Sequence, residues 1–250
     1  MAPAVTLFIL LRRFLNPGRR MGLVGFPATL FIVLASALVT PAVGQTSAAI
    51  VEEINGNPPG VELMDYVDTG RVIKLGPQDS VVLSYLSSCI REVIRVGAVK
   101  VGIEQSIVLS GDIERTKVDC EATKMLQATG QTNDSASSIV RGKDASTLKP
   151  APAPEFTIYG SSPIFQLDGD GALVVARLDQ KGEYFALPID SKQLLRGMFL
   201  DFAAEGKALT PGGVYGVRWA RRLVSFKVDE NAKPGRAPAI GRLLILAPRN

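Results

Sequence analysis

Residues 48–120 repeat one pattern, a short run that alternates apolar and polar residues and then a glycine or a proline. No other feature restricts the fold as much. A two-residue period puts successive side chains on opposite faces of an extended strand, whereas a helix needs an apolar stripe of period 3.6. The runs are AAIVEEI, VELMDYV, RVIKL, SVVLSYL, IREVIRV, AVKVGI, SIVLS and DIERTKVDC. They are separated by the cluster Asn55-Gly56-Asn57-Pro58-Pro59-Gly60 and by Gly70, Gly76-Pro77, Gly97 and Gly111. Val99, Val101 and Ile103 are assigned to one face and Lys100 to the other. Alternation with a turn signal roughly every eight to twelve residues predicts the strands of a sandwich or barrel.

A second series fills 155–249: FTIYG, IFQL, ALVVARL, YFALPI, GVYGVRWA, LVSFKVD and LLILAP. Asp168-Gly169-Asp170-Gly171 reads as a hairpin turn inside a meander, since Asp-Gly adopts positive φ at little cost. Residues 191–204 fit either a helix capped by Ser191 or a buried strand. Between the two series, 121–154 is small, polar and proline-rich, the composition of a linker. The expected organisation is all-β: a leader over 1–44, a short-strand β domain over 45–120, a linker over 121–154 and a sandwich-like β domain over 155–250. An apolar content of 46% is enough for a real core.

The leader has its own logic. Residues 23–39, LVGFPATLFIVLASALV, are an uncharged apolar run preceded by Arg19-Arg20, and Ala42 and Gly44 supply small residues where a signal peptidase reads them. Cleavage is expected after Gly44, with Gln45 as the new terminus and the periplasm or the exterior as the destination. The alternative is an uncleaved anchor, which is the only reading that places the chain at a membrane. Lys and Arg total 28 against 24 for Asp and Glu, and the leader's Arg12, Arg13, Arg19 and Arg20 account for the whole excess. The rest of the chain is neutral, without the basic stripe that a nucleic-acid binder carries.

Chemistry-bearing motifs are sparse. The absence of histidine excludes Ser-His-Asp and Cys-His catalysis in their usual forms, and two cysteines cannot make a four-cysteine zinc site. No metal site and no cofactor is expected. Asp168-Gly169-Asp170-Gly171 lacks the fifth- and twelfth-position ligands of a calcium loop, where Ala172 and Asp179 stand. Ser146-Thr147-Leu148-Lys149 matches a penicillin-binding-protein motif but sits in the linker, without the other boxes. Glu52-Glu53, Asp65 with Asp68, and Asp112 with Glu114 read as solvated strand faces or turns. Cys89 and Cys120 read as a disulfide in an oxidising compartment, closing a loop of about 30 residues. Trp219 is expected in the core, with Arg218, Arg221 and Arg222 at a strand edge and turn, where they protect the edge or contact an acidic partner.

The segment Gly70-Arg71-Val72-Ile73-Lys74-Leu75-Gly76-Pro77, then Asp79-Ser80-Val81-Val82-Leu83-Ser84-Tyr85-Leu86, then Gly97-Ala98-Val99-Lys100-Val101-Gly102, resembles the FecR-type periplasmic domain. The likeness spans roughly 48–120. It implies an extracytoplasmic β module used for sensing, scaffolding or protein contact. That family's cytoplasmic helix, which restrains a sigma factor, has no counterpart N-terminal to the leader. The C-terminal half looks loosely like an immunoglobulin-like sandwich, an analogy of fold that carries no function. The favoured expectation is an exported, non-enzymatic binding or scaffold protein of the cell envelope whose partner is an envelope protein or surface polymer. The alternatives are a membrane-tethered sensor and a carboxylate-dependent hydrolase on a β scaffold.

Overall fold

The computed structural model describes residues 47–121 and 153–247. The expected cleavage site at Gly44 and Gln45, the Ser146–Lys149 motif and the domain boundary near 150 lie outside the described residues. All described residues belong to one compact unit, Gly44–Asn250. Among them the fold is all-β, with thirteen strands in three sheets and one three-residue 3-10 turn.

The first sheet consists of β1 (Ser47–Asn55), β2 (Tyr66–Asp68), β3 (Val72–Tyr85), β4 (Ile90–Lys100) and β5 (Ile107–Lys117). Their order is β2-β1-β3-β4-β5 and every pairing is antiparallel. Several glycines that the sequence presents as breaks are bends inside longer strands. RVIKL and SVVLSYL are the two halves of β3; IREVIRV with AVKVGI makes β4, and SIVLS with DIERTKVDC makes β5. Gly97 and Gly111 face each other across β4 and β5, at φ 95° and 93°. A Cβ on Gly111 would lie 1.9 Å from the Val96 carbonyl oxygen, and one on Gly97 2.4 Å from that of Ser110. Only glycine lets both strands bend there while the ladder continues on either side.

The bent sheet encloses its own core, which includes Val51, Ile73, Leu75, Leu83, Tyr85 and Ile94. The alternation holds where the strands run straight: Ile73 and Leu75 are buried and Lys74 is exposed. Ile103 departs from it. β4 ends at Lys100 and the chain bends at 103–105, leaving Ile103 69% exposed instead of beside Val99 and Val101.

The remaining strands are β6 (Phe156–Gly160), β7 (Ile164–Gln166), β8 (Gly171–Arg177), β9 (Tyr184–Ile189), β10 (Phe199–Asp201), β11 (Val214–Trp219), β12 (Arg222–Lys233) and β13 (Leu243–Ile245). They form a five-stranded sheet, β6-β12-β11-β8-β9, and a three-stranded sheet, β10-β7-β13. Both sheets contribute to one core that includes Phe165, Phe199, Leu173, Tyr215, Phe226 and Leu244. The meander expected from β6 through β8 does not form. β6 pairs parallel with β12, and β7 pairs parallel with β13. Asp168–Gly171 is therefore a corner between two sheets and not a hairpin. Residues 191–204 are neither a long helix nor a long strand. Asp190, not Ser191, caps a single 3-10 turn (Ser191–Gln193), and the chain then turns through Arg196 and Gly197 into β10. Leu194, Phe199 and Phe202 are buried all the same.

Polar groups join the first sheet to the rest. Glu52 is buried; its Oε1 accepts from Arg91 Nε at 2.9 Å, and its Oε2 accepts from Ser84 Oγ at 2.5 Å and from the Ala239 amide at 3.1 Å. The Tyr66 hydroxyl donates to Gln166, and Arg196 pairs with Glu62 and Asp65. Ile50 and Met64 reach into the core of the two C-terminal sheets. Arg242, also buried, holds the last segment by donating to both oxygens of Asp201 and to the carbonyls of Ser162 and Arg236.

Candidate functional site: an open sheet edge and a polar pocket

β5 ends the first sheet, and no described strand pairs with its outer side. Its eleven residues are exposed apart from Ile113. The other sheet edges are shorter or blunted. β2, β10 and β13 have three residues each, β6 has five, and the six-residue β9 contains Pro188, which cannot donate to a ladder.

The two halves of β5 differ in chemistry. Ile107, Val108 and Leu109 stand in solvent at 59%, 40% and 56% exposure, close in sequence to the exposed Ile103. Past Gly111, Asp112 and Glu114 lie along Arg95, at 3.8 and 3.2 Å, and all three are well exposed. Two carboxylates thus share one guanidinium, leaving that face net negative.

A buried network anchors β5 from behind. Glu92 is fully buried; its Oε1 accepts from Arg115 Nε of β5 at 2.8 Å and from the Ser106 amide at 2.9 Å. Arg115 Nη2 donates to the Ser106 carbonyl at 2.7 Å, and Ser106 Oγ lies 2.8 Å from the Tyr85 hydroxyl. Burial pushes the Tyr85 phenol up to about 12, with the Glu92 charge adding to the effect and the Ser106 hydrogen bond opposing it. Glu92 Oε2 is buried and has no partner among the described residues. Sequence reasoning missed this network, since Glu92 stands in a strand among ordinary alternating residues.

The cysteines pair as expected. Cys89, in the loop between β3 and β4, and Cys120, just beyond β5, form a disulfide with Cα atoms 5.8 Å apart. Cys120 packs against Leu86 and Ile240, so the bond secures the exit of β5 where the first sheet meets the C-terminal segment. The next residue, Glu121, accepts from the Thr157 amide at the start of β6.

The corner at Asp168–Gly171 and the hairpin between β11 and β12 meet at a pocket of about 440 Å³, lined by Asp168, Asp170, Ala172, Val174, Arg218 and Trp219, together with Gly171 and Ala220. Trp219 is buried, as the alternation predicts, and its Nε1 donates to Asp168 Oδ1 at 2.7 Å. Its ring lies against Gly171, where an added Cβ would come within 2.8 Å. Asp170 Oδ1 accepts from the Ser191 amide at 2.8 Å and from its hydroxyl at 2.7 Å, and these two donors hold the carboxyl below its usual range.

The three arginines separate. Arg218 faces the pocket, Arg221 is exposed in the two-residue turn beside Ala220, and Arg222 is half-buried and directs Nη1 to the Leu246 carbonyl. Of the carboxylate clusters, Asp112 with Glu114 is solvated as read. Glu52 is buried beside an exposed Glu53. Asp65 pairs with Arg71 and Arg196, and Asp68 accepts from Ser47 Oγ. No group of carboxylates and cysteines among the described residues is placed to hold a metal ion. No family model, no curated protein and no solved structure matches the chain.

Proposed function

We propose that this chain is an exported, non-enzymatic scaffold of the bacterial cell envelope that recruits a partner protein by strand addition at β5. The carrying observation is the edge itself: eleven residues long, free of proline and unpaired among the described residues. An extended segment laid along such an edge satisfies its backbone groups on it, while alternate side chains supply the specificity. The occupant is a segment of partner protein that is basic at one end and apolar at the other. Its apolar end covers Ile107–Leu109, and its basic residues meet Asp112 and Glu114. Those two charges also oppose indiscriminate pairing at the same edge. The leader, the resemblance of 48–120 to a FecR-type module and a disulfide suited to an oxidising compartment all support the envelope setting.

The test is photocrosslinking in cells from Leu109 and from Glu114, with Tyr184 on β9 as the control position and the crosslinked sites mapped by mass spectrometry. The proposal requires both β5 probes to reach one segment of one protein, the Glu114 probe at its basic end. Crosslinks that scatter, or that match those from Tyr184, refute it.

A carboxylate-dependent hydrolase is the second reading, favoured by the two aspartates in one pocket. Asp170, held below its usual range by its Ser191 donors, does not suit the general-acid role in such an enzyme. A membrane-tethered sensor requires an uncleaved leader. No helix among the described residues is long and apolar enough to cross a membrane.

A further inference from the structure

Independently of strand docking at β5, we propose that the pocket between the Asp168–Gly171 corner and the β11–β12 hairpin binds a neutral saccharide. The argument starts from what its polar groups still offer. Asp168 and Asp170 each have one oxygen engaged, by the Trp219 indole and by Ser191. Their second oxygens are free to accept among the described residues. Arg218 projects from β11 directly across the ladder from Val174, is exposed, and makes no hydrogen bond or ion pair among the described residues. Ala172, Val174 and the edge of Trp219 supply a small apolar wall.

Two fixed acceptors, one forked donor and an apolar wall match a pyranose ring. Its hydroxyls donate to carboxylates and accept from guanidinium, and its C–H face rests on apolar carbon. Two carboxylates against one guanidinium leave the pocket net negative, which disfavours an anionic ligand. A volume of about 440 Å³ lies toward the small end of the ~300–1,000 Å³ range of ligand sites. The acceptors are pre-set. Trp219 and Ser191 hold the two carboxylates in place before a ligand arrives, which lowers the ordering cost of binding.

Trp219 is the chain's single tryptophan, so fluorescence excited in the indole band, beyond the absorption of the tyrosines, reports on this pocket alone. The folded protein is titrated with glucose, N-acetylglucosamine, cellotetraose and chitotetraose, and with a tetragalacturonate as the anionic counterpart. A saturable Trp219 response to at least one neutral sugar is expected, weakened about tenfold or more in Arg218→Ala and in Asp170→Asn, the size of one lost hydrogen bond to a charged group. Arg221→Ala, outside the pocket, is expected to bind as wild type does. A tetramer that binds more tightly than its monomer identifies a polymer as the source, and equal affinity identifies free sugar. The proposal is overturned if only the galacturonate perturbs Trp219, if Arg218→Ala and Asp170→Asn respond as wild type does, or if no neutral sugar gives a saturable signal. Circular dichroism of the variants separates lost binding from lost fold.

Discussion

Raising the pH should unlock the first sheet through Tyr85, and the size of the effect follows from its surroundings. The phenol is fully buried, lies against Ser106 Oγ and shares its pocket with the Glu92 carboxylate, so its ionisation is pushed from 10 to about 12. Between those two values the unfolded chain has released the phenolic proton and the folded chain has kept it. The native state then binds more protons, and stability falls as pH rises. The contribution is intact below pH 10 and spent above about 12. Two units at 1.36 kcal/mol each amount to about 3 kcal/mol.

The assay is urea unfolding at intervals from pH 9 to pH 12.5, disulfide intact, with Tyr85→Phe as the reference. The phenylalanine variant loses the Ser106 hydrogen bond, about 1 kcal/mol at neutral pH, but lacks the ionising group. Its stability is therefore expected to fall less steeply between pH 10 and 12, and the two curves should cross or converge there. Parallel curves would refute the reasoning. They would mean that water reaches the phenol and that the loop carrying Ser106 opens well below the unfolding threshold.

Two further outcomes follow from covalent and backbone constraints. Replacing both Cys89 and Cys120 by serine should cost about 3–4 kcal/mol, the chain entropy of a loop with ends 31 residues apart, measured by denaturant unfolding; a loss below about 1 kcal/mol would contradict it. Ala220→Gly should stabilise the fold by about 0.5–1 kcal/mol and so raise the unfolding midpoint modestly, because Ala220 is held at φ 49° in a turn that glycine enters without strain. A lower midpoint would show that the methyl group contributes more by packing than it costs in the backbone.

The alternation along the chain made the strands legible because burial on one face of a sheet imposes a two-residue period, as Ile73, Lys74 and Leu75 show. The same logic placed Trp219 in the core. Their lengths were less legible. Gly97 and Gly111 look the same in sequence whether a strand ends at them or bends through them, and only the close approach of the facing backbone decides. Asp168–Gly171 has the composition of a hairpin turn, but β7 pairs with the distant β13 in one sheet and β8 with β9 in another, and local chemistry carries no record of that split. Of the candidate sites, the cysteine pair was legible because the chain has only two cysteines. The pocket is present in the sequence only as two separate features, an acidic turn and an arginine cluster, which β8 and β11 bring together by lying side by side. Glu52 read as a solvated strand carboxylate and Glu92 drew no reading, because the groups that satisfy them come from other elements: Ala239 lies 187 residues away from Glu52, and Arg115 lies 23 from Glu92.

That contact between Glu52 and Ala239 bears on the order in which the molecule assembles. β1 is the first described strand and the Ala239 amide belongs to the last described segment, so the carboxylate of one is completed by a donor 187 residues further on. A nascent chain holding only the first sheet would have to keep Glu52 hydrated or leave one oxygen short of a donor. Closure of that corner therefore waits until Ala239 has been synthesised, 187 residues after Glu52. With β6 joined to β12 and β7 to β13 by parallel pairings that also span most of the second half, non-local contacts dominate, as they do in slow-folding β proteins.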